Sequence, residues 1–448
     1  MSSWGTKDGG REAIGGMSES KHEAQGNWQS APGGVTLPRG FKASGVHCGI
    51  KKSRPDLALI VSEKQAQAAG VFTSNLVKAA PVLVTMEHLK SGSARAIVAN
   101  SGNANACTGK TGLRDARIMA AEASCALGIS LQEVVVASTG VIGKALPIDN
   151  VSEGIRIAAS RLSPKGSSEA AQAILTTDRT TKEIALTGRI CNRTVSIGGI
   201  CKGSGMIHPN MATMLGFITT DVAITPVMLK KALVQSVDES FNMITVDGDT
   251  STNDMVIAMA NGLAGNPVID EECSDFQEFC RGLRVVTASL AKMIVKDGEG
   301  ATKFVEVRVV GADTVDGARR IAKTVASSNL VKTAIFGADP NWGRILAAAG
   351  RAGVDFRPDL TDVYIGDVLV ARSGKANGFD EVGAVKANGF DEAGAGNAVG
   401  FDEAGARQAL AKTDIEITID LKIGNSTASA WTCDLTYDYV KINASYTS

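Results

Sequence analysis

The stretch Lys202-Gly203-Ser204-Gly205-Met206-Ile207-His208-Pro209-Asn210-Met211-Ala212-Thr213-Met214-Leu215-Gly216 constrains this chain more than any other part of it. It sets small residues and a hydroxyl side chain where a backbone can turn tightly and be cut. Ala212 is small, and Pro209-Asn210 suits a strained turn just before it. A catalytic hydroxyl usually leans on a histidine, and the chain holds only four: His22, His47, His88 and His208. None stands beside an informative Ser or Cys motif, and no Gly-x-Ser-x-Gly elbow surrounds a plausible nucleophile. His208 reads as a turn residue before Pro209 in preference to a base. Thr213 has another route to activation. Its own α-amino group, once freed by cleavage of the preceding peptide bond, has a pKa of about 8 and sits beside Oγ. Thr213 would then be both nucleophile and base: Oγ attacks the Ala212 carbonyl, and hydrolysis of the ester leaves a new N-terminal Thr. The competing reading makes Thr213 a β-branched residue in a buried strand that continues to Phe217-Ile218-Thr219.

Composition narrows the function classes. The 448 residues are 44% hydrophobic, enough for two or three domains or one large two-lobed unit. Lys plus Arg number 46 against 47 Asp plus Glu, so there is no excess positive field to hold a phosphate backbone, and no nucleic-acid partner is expected. The eight Cys include no Cys-x-x-Cys pair, so no metal site and no disulfide framework is expected. No apolar run reaches the roughly 18 residues that span a bilayer, and no secretory signal opens the chain. A cytoplasmic enzyme without a membrane partner fits best. Residues 1–33 are rich in Gly, Ser and charge and are expected to form a disordered extension. Asp8, Glu12, Glu19 and Glu23 weigh against a transit peptide there.

From Phe41 onward, short apolar runs (Leu57–Val61, Ala96–Ala99, Val134–Val136) alternate with helix-like segments such as Leu113–Leu127, Leu229–Val237 and Gly317–Ala326. Phe304–Val309 and Ile415–Leu421 alternate as half-buried strands do, which favours antiparallel pairing near the end of the chain. The expected fold class is α/β. Gly378-Phe379-Asp380-Glu381 recurs as Gly389-Phe390-Asp391-Glu392 and Gly400-Phe401-Asp402-Glu403, every eleven residues. Its glycines argue against a continuous helix. The last copy, before Ala406–Leu410, is expected to be structured, and residues 377–398 to form an inserted surface loop.

Ser138-Thr139-Gly140-Val141-Ile142-Gly143 follows an apolar strand, where a Gly-containing turn can expose a hydroxyl and backbone N–H groups; a plain strand-ending turn is the alternative. Asp247–Asp254 begins like a calcium loop but has Thr252 where Gly is needed and Ala258 at the twelfth position. No phosphate loop or dinucleotide fingerprint follows a strand, so no cofactor is expected.

Ala212-Thr213-Met214-Leu215 resembles the self-cleavage motif of the ornithine acetyltransferases, the glutamate N-acetyltransferases of the acetyl-recycling arginine pathway. The resemblance runs from about Gly34 to Ser448 and includes Ala99–Ala106, Ile244–Asp254 and Gly337–Arg344. Arg179-Thr180-Thr181, where the family usually has a Pro before its Lys, departs from it, as do Cys201 and the triple repeat. The resemblance implies two-lobed mixed sheets with flanking helices, in a precursor cut between Ala212 and Thr213. The products are an α chain (34–212 after the extension) and a β chain (213–448), which stay together and pair as α2β2. It implies acetyl transfer from N-acetylornithine to glutamate through Thr213, an oxyanion hole of Thr139 and Gly140, and substrate contacts from Thr176, Lys202, Thr213, Glu299, Asn443 and Ser448. Acetyl-CoA as a further donor is left open. Two other functions fit the residues: an N-terminal-nucleophile aminopeptidase or amidase that passes its acyl group to water, and a catalytically silent scaffold using the repeat.

Overall fold

The apolar runs at 57–61, 96–99 and 134–136 are hydrophobic at consecutive positions because both faces of the sheet they build are covered. In the computed structural model, which describes residues 27–208, 214–377 and 401–445, they lie in three neighbouring strands. Successive residues feed two cores: Ala58, Ile60, Ile97 and Val135 enter one, while Leu57, Leu59, Val98 and Val136 enter the other. The second core is closed by the helices Gly109–Leu127 and Ile148–Ser160 through Met119, Ala120, Val151 and Ile155.

Among the described residues nine strands make this sheet. They are β1 (Gln29–Ala31), β2 (Phe41–Val46), β3 (Leu57–Phe72), β4 (Ser93–Asn103), β5 (Val134–Val141), β6 (Lys182–Ile190), β7 (Arg193–Lys202), β8 (Leu215–Thr220) and β9 (Met255–Ala260). The order is β1-β6-β7-β8-β9-β3-β4-β5. The long β3 is paired by β4 on one edge, while β2 and β9 share the other end to end. A second, six-stranded sheet comprises β10 (Phe304–Ala312), β11 (Asp362–Ile365), β12 (Val368–Arg372), β13 (Lys375–Ala376), β14 (Asp414–Asp420) and β15 (Ser426–Cys433). The helices Ser274–Lys296 and Val315–Ala326 bury Leu290, Ile294, Ile321 and Val325 in the core that joins the two sheets. Mixed sheets with flanking helices are therefore the architecture, as the resemblance implied. The sequence boundary at 212/213 does not separate the sheets. β8 and β9 follow it, yet sit between β7 and β3 in the first sheet.

Two expectations need correction. The extension does not run to residue 33. Trp28 is fully buried, its indole N–H donates to the Glu278 carbonyl at 3.2 Å, and β1 pairs with β6. Gly188 and Gly282 make room for the ring: a Cβ at either would stand 2.7 or 2.3 Å from it. One large indole offsets the ordering cost that the polar composition around it seemed to forbid. Residues 1–26 lie outside the described residues. The antiparallel pairing expected near the end of the chain holds for β10 with β15 and for β11 with β14, and needs correction only where β14 runs parallel to β10. Its alternating burial reports that one face is covered and carries no information on strand direction. Of the repeat, the copies at 378 and 389 lie outside the described residues. In the third copy Phe401 packs on the core, and the Asp402 carboxylate accepts from Gly405 N at 2.8 Å to cap the helix Glu403–Leu410.

Candidate active site

The parallel pairing of β4 with β5 brings Ser101 opposite Thr139 and Gly102 opposite Gly140. The strands approach so closely there that a Cβ on Gly140 would stand 2.3 Å from the Gly102 carbonyl carbon and 2.5 Å from Asn103 N. Gly140 also has φ +134°, a conformation L side chains rarely adopt. The turn is pinned from behind. Ser138 Oγ donates to Asn100 Oδ1 at 2.6 Å, and Asn253 Nδ2 donates to the carbonyls of Ser138 (2.8 Å) and Ala104 (2.5 Å). Thr139 is thereby held in the lining of a cavity of about 320 Å³. Gly140→Ala is expected to cost about 1–3 kcal/mol of stability through backbone strain. It should appear as a lower denaturant midpoint with an unchanged slope.

A buried ion cluster positions the opposite wall. Lys182, with no exposed side-chain surface, bridges Asp178 Oδ1 (2.8 Å) and Asp297 Oδ2 (2.6 Å). Asp178 also accepts from Thr176 N at 2.9 Å and Gly203 N at 2.7 Å, so it ties the 176–178 turn to the end of β7. Burial pushes the Asp178 carboxyl up, but the ammonium groups of Lys202 and Lys182 outweigh it and hold the group well below the usual carboxylate range. The departure at Arg179-Thr180-Thr181 is anchored on the same cluster. The Arg179 and Thr180 amides donate to Asp297, and Thr176 lines the cavity.

Lys202 and Glu299, each of which taken alone reads as a surface charge, are 8% and 7% exposed and face the same cavity. Lys202 Nζ donates to Thr139 Oγ1 at 3.3 Å. Glu299 is seated by its backbone N–H on the Ser204 carbonyl (3.1 Å), and its carboxylate accepts from Asn443 Nδ2 at 2.9 Å. Gly205 leaves space for that carboxyl, since a Cβ there would stand 2.3 Å from Glu299 Cδ. Asn443 comes from the helix Tyr437–Ala444, which is therefore part of the wall.

Thr139, Gly140, Thr176, Lys202, Glu299 and Asn443, far apart in sequence, thus share one cavity. Ala212, Thr213 and Ser448 lie outside the described residues. Met214, which follows Thr213 in sequence, lines the cavity, and Leu215 begins β8 in register with Lys202. His208 accepts or donates at Nδ1 with Thr245 Oγ1 (2.9 Å), and burial lowers its pKa to about 4, so the ring is neutral near pH 7. Sequence reasoning missed Asn253 and Asp254, which line the cavity from the Asp247–Asp254 loop. The sole signal was that block's place in the resemblance. Its look-alike calcium residue Asp247 instead accepts from the amides of Met206 (2.6 Å) and Ile207 (2.9 Å). Among the described residues no cluster is placed to hold a metal, and no helix is long and apolar enough to cross a membrane.

The cavity pairs the Thr139-Gly140 turn with a cation and carboxylates, in a volume suited to a small polar ligand. The family model described as the ArgJ family matches residues 42–448. The arginine biosynthesis bifunctional protein ArgJ of Symbiobacterium thermophilum is 52% identical over 417 residues, covering 92% of this chain and 98% of its own. The protein of that name from Caldanaerobacter subterraneus subsp. tengcongensis is 49% identical over 418 residues, covering 92% and 98%. Among solved structures, the ornithine acetyltransferase of Mycobacterium tuberculosis in complex with ornithine is 42% identical, with a TM-score of 0.39, covering 41% of this chain and 98% of that one. With the match spanning nearly its whole length, the chain belongs to the ArgJ family.

Proposed function

We propose that this chain is an acyltransferase of arginine biosynthesis that moves acetyl from N-acetylornithine to glutamate in two steps through Thr213. The observation that carries the reading is the meeting of Thr139, Gly140, Lys202 and Glu299 in the cavity lined by Met214. In the first step Thr213 Oγ adds to the acetyl carbonyl, its proton passes to the Thr213 α-amine, and the carbonyl electron pair moves onto oxygen. Thr139 Oγ–H and Gly140 N–H serve that oxyanion. Collapse breaks the C–N bond, ornithine leaves with the proton, and an acetyl ester remains on Thr213. The amine of glutamate then attacks the ester, so one set of donors serves both halves. Lys202 suits the substrate carboxylates, Glu299 with Asn443 suits the cationic amine of ornithine, and Thr176 and Ser448 complete the contacts.

The same nucleophile cuts the precursor into residues 1–212 and 213–448, and the cut halves stay joined. β7 pairs with β8 from Ile197 to Lys202, and β3 pairs with β9 from Gln67 to Phe72. The reading includes an α2β2 assembly in the cytoplasm that needs no cofactor, with acetyl-CoA as a second donor for glutamate left to assay. With N-acetylornithine alone, intact-mass analysis should find one acetyl group on the 213–448 fragment, discharged by glutamate faster than by water. No acetylated fragment during turnover would sink the two-step route, and discharge to water alone would identify an amidase.

A further inference from the structure

We infer that Lys202 is a positioning residue for the oxyanion donor, acting through the hydroxyl of Thr139 as well as on substrate; this rests on the reading of Thr139 proposed above. A threonine hydroxyl has one hydrogen and two acceptor sites, whereas an ammonium group has only hydrogens. In the 3.3 Å contact between Lys202 Nζ and Thr139 Oγ1, Thr139 can only accept. Its single hydrogen is therefore barred from Lys202. Among the described residues no carbonyl or carboxylate takes it, and Thr139 lines the cavity. The hydrogen is left for whatever oxygen occupies that cavity.

Two physical consequences follow from this arrangement. An unconstrained hydroxyl rotor spends part of its time with a lone pair towards the substrate carbonyl, which repels the developing charge. The Lys202 contact removes that orientation before the reaction begins. The adjacent positive charge also polarises the O–H bond, making Thr139 a stronger donor to an anion than a lone threonine. Lys202 itself is only 8% exposed, and its amide-bearing neighbour Gly203 is held by Asp178, so the ammonium is aimed by the backbone rather than drifting in solvent. At 3.3 Å the contact is long for N–H···O, which leaves room for it to shorten when an anion accepts from Thr139.

The test is a double-mutant cycle of Lys202→Met and Thr139→Val, read on the rate of Thr213 acetylation at saturating N-acetylornithine. Lys202→Met alone should slow acetylation roughly 10- to 100-fold, somewhat less than losing a whole donor. In the Thr139→Val background it should slow it no further, while any rise in the donor concentration needed should persist in both backgrounds. Lys202→Arg, which keeps a charged donor, should recover part of the rate. Equal slowing in both backgrounds, or a change in required donor concentration alone, would overturn the role. If Lys202→Met also slows self-cleavage, the same cycle is read on the rate at which uncut chain disappears, with the same expectation of non-additivity. Failure of wild-type protein to acetylate would count against the functional reading, and the pair would then be judged on the cleavage cycle alone, where no slowing by Lys202→Met would overturn the role.

Discussion

With Thr213 replaced by Ala, the purified protein is expected to remain one uncut chain of 448 residues, and acetyl transfer is expected to fall on the order of 10⁴-fold or more. Both effects come from one atom. Oγ is the only hydroxyl that can attack the Ala212 carbonyl within its own dipeptide, and removing it also prevents release of the α-amine that would serve as base. Alanine is tolerated sterically wherever threonine is, so the variant should unfold much as wild type does. Thr213→Ser keeps the hydroxyl and should still cut, more slowly or faster according to how far the missing methyl frees the side chain. Denaturing intact-mass analysis of the three proteins reads the outcome. Two fragments from the Ala variant, with a new N-terminus at 213, would place the nucleophile elsewhere. An uncut wild type would remove the free α-amine from the mechanism and bring forward the silent-scaffold reading.

Lys182→Met should be the most damaging change outside the reacting residues, costing about 3–5 kcal/mol because it removes the one cation that bridges both buried carboxylates, leaving Asp178 with the Lys202 charge and Asp297 with the longer 3.5 Å Arg179 pair. Asp178, Lys182 and Asp297 are all nearly or fully buried. The cluster joins residues 178 and 182, before the proposed cut, to residue 297 after it, so in cut protein it would link two chains. Its pH behaviour separates charge from packing. The Asp178 pKa is depressed in the fold, so its contribution is present above the ordinary carboxylate value of about 4 and is lost as pH falls through the lower folded value. Against the burial that would lower it, Asp178 and Asp297 raise the Lys182 pKa; that contribution is present below the ordinary value of about 10.4 and is lost only as pH rises beyond it. Across the neutral range the wild-type cluster should therefore be insensitive to pH. In Lys182→Met one carboxyl can be neutralised by a proton, so the stability deficit should shrink between about pH 7 and pH 5. Denaturant midpoints at the two pH values decide it, and an equal deficit at both would assign the loss to packing alone.

The local elements were largely legible in the sequence. The helix read at Leu113–Leu127 lies within Gly109–Leu127, and the segments at 229–237 and 317–326 lie within Pro226–Asp238 and Val315–Ala326. Their apolar spacing is a local property of the chain. Trp28 was not legible, because one indole in a polar stretch becomes a core residue only when Gly188 and Gly282 come together around it. Nor was the parallel pairing of β10 with β14, since alternation along a strand is the same whichever way its neighbour runs.

For the site, the sequence by itself determined which chemistry was available. It supplied a hydroxyl after a small residue, a glycine turn after an apolar strand, and no informative Ser or Cys motif beside any of its four histidines. Only the tertiary structure decided that Lys202 and Glu299 are buried cavity charges, that Asn443 reaches Glu299 across 144 positions, and that Lys202 meets Thr139 across 63. Residue type and local spacing fix what a side chain can do. Its desolvation and its partners are set by segments distant in sequence, and these bring an ordinary lysine, glutamate and threonine into the lining of one cavity.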